Sequence, residues 1–216
     1  MKMYDYQAPN AQKVRIFAYE KQITIDYIAV DLLNHALRTP EMLKKNPLGT
    51  VPFLELDDGT IIRESRAIIE YLEGIKNEPN MLGNDPLEKA RIQEIDRLVE
   101  LGLMIELGNY VHNISPFFQD KGPQSEEAAE MALNCYKKNL QILENEISGE
   151  EFLIFNRPTV ADCTLFSTFT FSESLNLNFE LLVFRIDPLI KMQFQAHHLG
   201  HSFLNNLKFF LRSLLN

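Results

Sequence analysis

The run Asn46-Pro47-Leu48-Gly49-Thr50-Val51-Pro52, continued by Phe53-Leu54-Glu55-Leu56, Asp57-Asp58-Gly59-Thr60 and Glu64-Ser65, decides how the rest of the chain is read. Asn-Pro-Leu-Gly is a turn signature that ends one element and opens the next. Pro52 stands at the start of a short apolar strand, a place where proline is tolerated, and an X-Pro bond is the common setting for a cis peptide. Asp58-Gly59 predicts a two-residue hairpin between 53–56 and 60–63. Glu64-Ser65 then opens a helical pattern through Ile68, Ile69, Tyr71, Leu72 and Ile75. The first N–H groups of such a helix lack internal partners and suit an anion.

On the amino-terminal side, strand and helix signals alternate. Residues 2–6 read as a short strand, and residues 11–21 as a helix with Val14, Phe17 and Ala18 on one face. Residues 23–30 are rich in the β-branched and aromatic types that strands prefer. On the carboxyl side, Asn77-Glu78-Pro79-Asn80 and Gly83-Asn84-Asp85-Pro86 hold the breakers of a linker. Beyond it the periodicity is helical: Ile92, Ile95, Val99 and Leu103 fall on one face of a long helix, with Leu98 and Met104 beside them. A second helix over 125–147 carries Ala128, Met131, Ala132, Cys135, Leu140 and Leu143. In Pro158-Thr159-Val160-Ala161-Asp162 the Thr and Asp stand three apart, the spacing of a reciprocal helix cap. Asp162 is therefore expected to be structural rather than a catalytic acid. The organisation expected is an α/β domain over 1–78, a linker over 79–86 and an all-helical domain over 87–216.

Composition narrows the function classes. A net charge of −9 and a pI near 5.1 argue against a nucleic-acid surface, which needs clustered positive charge. No segment has the layout of a signal peptide and no apolar run reaches about 18 residues, so neither export nor a membrane span is expected, and a cytoplasmic location is. Cys135 and Cys163 form no Cys-x-x-Cys and read as buried packing thiols in a reducing compartment.

The ordered set Asn-Pro-x-Gly-x-Val-Pro, hairpin, Glu-Ser and a helix ending Tyr71-Leu72 resembles the amino-terminal half of the cytosolic glutathione transferases. Ala8-Pro9-Asn10 is similar to bacterial-type members reading Thr/Ser-Pro-Asn, with alanine in place of threonine. The resemblance implies an α/β thioredoxin-like domain (βαβ-α-ββα) followed by an all-α helical bundle, whose buried central helix starts at the Thr159–Asp162 box. It implies glutathione as cosubstrate, no metal, and a small hydrophobic electrophile or a peroxide as second substrate, the chemistry of detoxification. The γ-glutamyl carboxylate would rest on the start of the 64–76 helix, meeting Ser65 and backbone N–H groups, with Glu64 balancing the ammonium. Val51, set by Pro52 in a cis bond, would pair its backbone with the cysteinyl unit. Arg38 and Thr50 lie near the glycyl carboxylate, where many members carry a basic residue or glutamine at the position of Thr50. Ser65 as a plain helix cap and Arg38 as a surface charge remain the alternatives.

A free thiol titrates near 8.5, and lowering that by about two units needs roughly 2.7 kcal/mol of selective thiolate stabilisation. The family supplies it from near the start of the first helix. In 4–14 no Ser or Cys is present, and the resemblance of Ala8-Pro9-Asn10 to the Thr-Pro-Asn members implies the Asn10 amide as donor, with Tyr4 and Tyr6, or Asn10 as a simple N-cap, as alternatives. The absence of Cys-x-x-Cys there excludes a dithiol mechanism and leaves conjugation, peroxide reduction or glutathione-disulfide reduction open. Met104, Leu107, Tyr110, Val111 and Phe117 have the spacing to line an electrophile site, although an apolar stripe can equally be core.

Family members are homodimers joined by the 64–76 helix of one copy against the long helix of the other, with Arg66, Glu70 and Arg91 as candidate contacts. The stretch from about 179 to 216 departs from the family pattern. The chain has no tryptophan, and this tail holds four basic and two acidic residues against a net −11 elsewhere. His197, His198 and His201 lie in it without acidic or cysteine neighbours, so no metal site is expected. A second function class stays open: a catalytically silent transferase-like binding protein of the stringent-starvation type, with a protein partner.

Overall fold

A computed structural model of the chain describes residues 1–32, 34–148, 152–175 and 177. The expectations for the tail, including the three histidines, lie outside the described residues. The chain divides into two compact units, Met1–Leu82 and Gly83–Asn216, the junction falling inside the 79–86 stretch.

The first unit runs β1 (Lys2–Asp5), α1 (Pro9–Glu20), β2 (Asp26–Ala29), a 3-10 turn over Ala36–Arg38, α2 (Pro40–Lys45), β3 (Phe53–Glu55), β4 (Ile61–Arg63) and α3 (Ser65–Ile75). The sheet order is β2-β1-β3-β4, with β1 and β2 parallel and the other pairs antiparallel. The β1–α1–β2 crossover explains the parallel pair, because a parallel neighbour needs a long connection and a hairpin does not. Val14, Phe17 and Ala18 of α1 and Ile68, Ile69 and Leu72 of α3 are buried, and the two helices pack together. A separate cluster of Tyr4, Val30, Leu37 and Phe53 is flanked by Met42, Val51 and Ile61.

The hairpin pairs where the bounds 53–56 and 60–63 put it, but its loop is not the two-residue one that Asp58-Gly59 signals. Leu56 N–H bonds Thr60 C=O at 2.9 Å, so three residues, not two, form the loop. Gly59 N–H bonds back to Leu56 C=O at 3.0 Å and Gly59 takes φ 84°. A turn closed by a glycine in the left-handed region is the three-residue solution, and Asp58 holds it by accepting from Thr60 N–H at 2.9 Å.

Lys21 is a feature the sequence did not flag. Its side chain is 0% exposed, and its ammonium donates to the carbonyls of Lys76 (2.9 Å), Asn77 (3.2 Å) and Pro79 (2.6 Å). Glu73 faces it at 2.5 Å and also accepts from Met81 N–H at 3.3 Å. A buried charge persists only when paired and fully hydrogen-bonded, and these groups tie the end of α1 to the chain leaving α3.

The second unit contains α4 (Pro86–Val99), a π-helical segment over Glu100–Met104, α5 (Ile105–Ile114), a 3-10 segment over Pro116–Lys121, α6 (Glu126–Glu146) and α7 (Val160–Ser174). Ile92, Ile95, Val99 and Leu103 are all buried. The single long helix expected there is broken in character by the π segment. Gly102 C=O accepts from Asn139 Nδ2 at 3.1 Å, and a Cβ on Gly102 would meet that side chain at 3.0 Å. A larger residue at this turn would have to push the Asn139 side chain aside, so the close approach of α6 favours glycine here.

Helix α6 buries three of the six residues named on it from the sequence, Ala132, Leu140 and Leu143, and leaves the other three outside. Ala129, Ala132, Tyr136, Leu140 and Leu143 are buried, while Ala128, Met131 and Cys135 are exposed. Burying the large Tyr136 ring outweighs the small Ala128 and Cys135 on the adjacent stripe. Of the two thiols, then, Cys163 is buried as expected and Cys135 is not.

Asp162 occupies the structural role read for it. Its Oδ2 accepts from Thr159 N–H at 2.8 Å and from the Thr159 hydroxyl at 2.7 Å, and its Oδ1 from Leu153 N–H at 2.9 Å. It lies at the start of α7, which is buried along most of its length. There, Thr164, Thr168 and Thr170 return their hydroxyls to carbonyls one turn back, which is what permits polar residues in a buried helix. Among the described residues no helix is long and apolar enough to cross a membrane.

Candidate functional site

The start of α3 is the focus of the first unit. Glu64 caps it in a backbone conformation, φ 69° and ψ 125°, that side chains with a Cβ seldom adopt. Strain of this kind costs on the order of 1–3 kcal/mol and is kept where the surroundings or function demand it. Ser65 is the first helical residue and is buried. The first helical bond runs from Ile68 N–H to Glu64 C=O at 3.0 Å, so the N–H groups of residues 65–67 precede the ladder.

Asn10 meets this helix start. The Ser65 hydroxyl donates to Asn10 Oδ1 at 3.2 Å, across a separation of 55 residues in sequence. Asn10 is not the N-cap of α1. Ala8 holds that position without a side-chain hydrogen bond, and Pro9 takes the first helical site, where a missing N–H costs nothing. An amide at the second helical position is therefore free of capping duty and directed toward α3.

The loop 46–52 approaches the same unit's sheet. Asn46 is buried and spans the loop: its Nδ2 donates to Thr50 C=O at 2.8 Å, while its Oδ1 accepts from Leu48 N–H at 3.2 Å. The Val51-Pro52 bond is cis, as the motif predicted. Among the described residues the Val51 backbone makes no hydrogen bond. The Arg38 guanidinium lies against Gly49, within 2.9 Å of where a Cβ on that residue would sit. Arg38 and Thr50 are both exposed. The sequence did not single out Asn46 as the residue that sets this loop; the Asn-Pro pair that marked a turn was the available signal.

Tyr4 is committed elsewhere. Its ring stacks on Phe53 with centroids 4.2 Å apart, and its hydroxyl donates to Glu55 at 2.8 Å while accepting from Lys45 at 2.6 Å. These bonds to Glu55 and Tyr4 hold the Lys45 ammonium well above its usual range. Tyr6 is half-buried, and burial together with the nearby Asp31 pushes its phenol up, away from the ionised form. In the second unit Met104, Leu107 and Val111 are buried and Tyr110 and Phe117 only partly so, with α5 packed on α6. Burial of those three side chains suits a core as well as the wall of a closed site, the two readings their spacing allowed.

A four-stranded α/β unit of this strand order, followed by a helical unit with a buried, capped central helix, defines a two-domain thioredoxin-like class of protein. Residues 3–80 match the glutathione S-transferase N-terminal domain and residues 103–192 its C-terminal domain. Maleylacetoacetate isomerase of Pseudomonas aeruginosa is 30% identical over 170 residues, covering 76% of this chain and 78% of that protein. Glutathione S-transferase 2 of Saccharomyces cerevisiae is 39% identical over 119 residues, covering 54% of this chain and 51% of its own length. Elongation factor 1-gamma 2 of Oryza sativa subsp. japonica is 29% identical over 167 residues, covering 74% of this chain and 38% of that protein. The chain therefore spans about half of the yeast relative and less of the elongation factor. Among solved structures, a glutathione S-transferase domain-containing protein of Marinobacter aquaeolei VT8 superposes with a TM-score of 0.77 at 31% identity, covering 94% of this chain and all (100%) of that one. The chain belongs to the glutathione S-transferase family.

Proposed function

We propose that this protein binds glutathione in its first unit and activates the thiol for attack on a hydrophobic electrophile or a peroxide. The observation that carries the reading is the meeting of Asn10 and Ser65: the start of α1 and the start of α3 put an amide and a hydroxyl side by side. Under this reading the γ-glutamyl carboxylate rests on the first N–H groups of α3 beside Ser65, where the helix dipole favours an anion. Glu64 receives the ammonium. The Val51 backbone pairs with the cysteinyl unit as one more strand. Arg38, beside Gly49 and near Thr50, takes the glycyl carboxylate. Asn10 donates an amide N–H to the thiolate; hydrogen bonds to charged groups contribute about 1.5–3 kcal/mol, enough for one to two units of thiol acidity. Tyr110 and Phe117, the partly buried members of the apolar set, are the stronger candidates for contact with the second substrate, and Met104, Leu107 and Val111 would shape it from behind.

A binding module without turnover is the second reading. Ala8 offers no side-chain donor at the N-cap, and elongation factor 1-gamma proteins are among the relatives. Retention on glutathione-agarose, followed by assay with chlorodinitrobenzene and a hydroperoxide, separates the two. Retention with turnover is expected; retention without turnover favours the module, and failure to be retained removes the glutathione reading. In the same assay Asn10→Ala is expected to raise the pKa of the bound thiol by about one unit or more, read from ultraviolet thiolate absorbance.

A further inference from the structure

A carboxamide is a poor thiolate donor unless something fixes it. Its two edges are opposite in polarity, one an acceptor and the other a double donor, and rotation about the last side-chain bond exchanges them. Asn10 is exposed at the second position of α1, where packing alone does little to choose between the edges. Ser65 is the opposite case: buried at the first position of α3, its hydroxyl has few directions open to it. The one bond it makes to Asn10, hydroxyl to Oδ1 at 3.2 Å, leaves both amide N–H groups directed away from Ser65.

We propose that Ser65 is a positioning residue for Asn10, holding its carboxamide so that an N–H reaches the bound thiol and linking the carboxylate end of the ligand to its sulfur. The proposal rests on the glutathione reading above and adds a role that binding the carboxylate does not require. A hydroxyl has one proton and two lone pairs. When a carboxylate takes that proton, Oγ still accepts an N–H from the same amide, whose second N–H remains for the sulfur. Either arrangement keeps Asn10 tethered. No proton crosses between the groups; the link is made of hydrogen bonds only, and it tightens when the carboxylate polarises the hydroxyl.

If Ser65 only grips the carboxylate, its loss weakens binding and leaves thiol acidity alone. If it positions Asn10, its loss raises the thiol pKa as the loss of Asn10 does. The test compares Ser65→Ala, Asn10→Ala, the double variant and Ser65→Thr in the full chain. Thiol pKa is read from thiolate absorbance with glutathione bound, and head-group affinity from titration with S-methylglutathione, which has no thiol. The expected result is a rise of about one to two units in both single variants. The double variant should rise no further, and Ser65→Thr, which keeps a hydroxyl, should restore the wild-type value. A wild-type pKa in Ser65→Ala overturns the proposal, and so do shifts that add in the double variant or an Asn10→Ala variant without a shift. A separate measurement needs no ligand: the side-chain amide resonances of Asn10, identified by their loss in Asn10→Ala, should move in Ser65→Ala of the free protein. Unmoved resonances overturn the tether even where glutathione binds. Moved resonances in a protein that fails to bind glutathione would instead retain the tether and discard the ligand reading.

Discussion

At the scale of single residues, Lys21 carries more of the first unit than its sequence position suggests. Its stem is buried, its ammonium faces Glu73, and it closes three carbonyls of residues 76–79. Removing the ammonium leaves the Glu73 carboxylate buried beside carbonyls that have lost their donor. Breaking one partner of a buried pair costs about 3–5 kcal/mol, far above a surface ion pair such as Arg91–Glu94. Lys21→Met, which keeps the apolar stem, is therefore expected to lose about that much in urea denaturation, while Arg91→Met should change stability by less than about 1 kcal/mol. Lys21→Arg should not restore the loss, although it keeps the charge, because a planar guanidinium cannot reach three carbonyls and a carboxylate in the same fan. The sequence marked residue 21 only as the end of a helix, because the partners are backbone carbonyls whose direction follows from the path of 76–79. The Asn10–Ser65 bond was hidden for the same reason: each residue was legible as a candidate, but the contact between two helix starts depends on the packing of α1 against α3.

At the scale of elements, the cap of α7 makes a pH-dependent contribution with a definite sign. Burial pushes the Asp162 carboxyl up to about 6 in spite of the N–H and hydroxyl donors around it. The unfolded chain titrates near 3.9, so between these values the folded form holds the proton more tightly. The resulting stabilisation is complete below about pH 4 and is lost as pH rises through about 6, amounting to roughly 3 kcal/mol for a shift of this size. Urea midpoints of the wild type and of Asp162→Asn, taken from pH 7 down to 4, should therefore diverge, with the wild type gaining on the variant as the pH falls. Other elements differ in how far the sequence announced them. The cap, the α3 pattern and the Pro52 strand were legible because each rests on contacts within a few residues. The hairpin loop was one residue longer than Asp58-Gly59 suggested, since the left-handed glycine closes a three-residue turn as readily as a two-residue one. The inward face of α6 was only half legible because two adjacent stripes were both apolar, and only the size of Tyr136 separates them. The π segment had no local signal beyond Gly102, whose meaning depends on Asn139 in another helix.

At the scale of the whole molecule, a stripe along α4, the π segment and the start of α5 recurs at steps of three and four. Leu87, Arg91, Glu94, Leu101 and Ile105 are exposed in it, with Leu98 half-buried among them. Leu87 is 71% exposed, Leu101 47% and Ile105 46%, so this stripe leaves large apolar side chains in water. Arg91 in it pairs with Glu94 on its own helix at 2.7 Å, and Arg66 on α3 pairs with Glu70 at 3.0 Å, so each of these charges has an ion-pair partner on its own helix. For the homodimer that the family resemblance implies, the apolar members are therefore the expected contact, ahead of the charges first singled out. In a twofold dimer every substitution acts on both copies. Leu101 has about half of its side chain left to bury, so returning it to water on each side forfeits about 1.5–3 kcal/mol in total, or some one to two powers of ten in the dimer constant. Sedimentation equilibrium of the wild type is expected to give twice the 25.0 kDa chain mass. Leu101→Lys should move the distribution toward the single chain at micromolar concentration, whereas Arg91→Met should leave it dimeric. A wild-type chain that sediments alone, or a dimer indifferent to Leu101→Lys, would place the contact on another face.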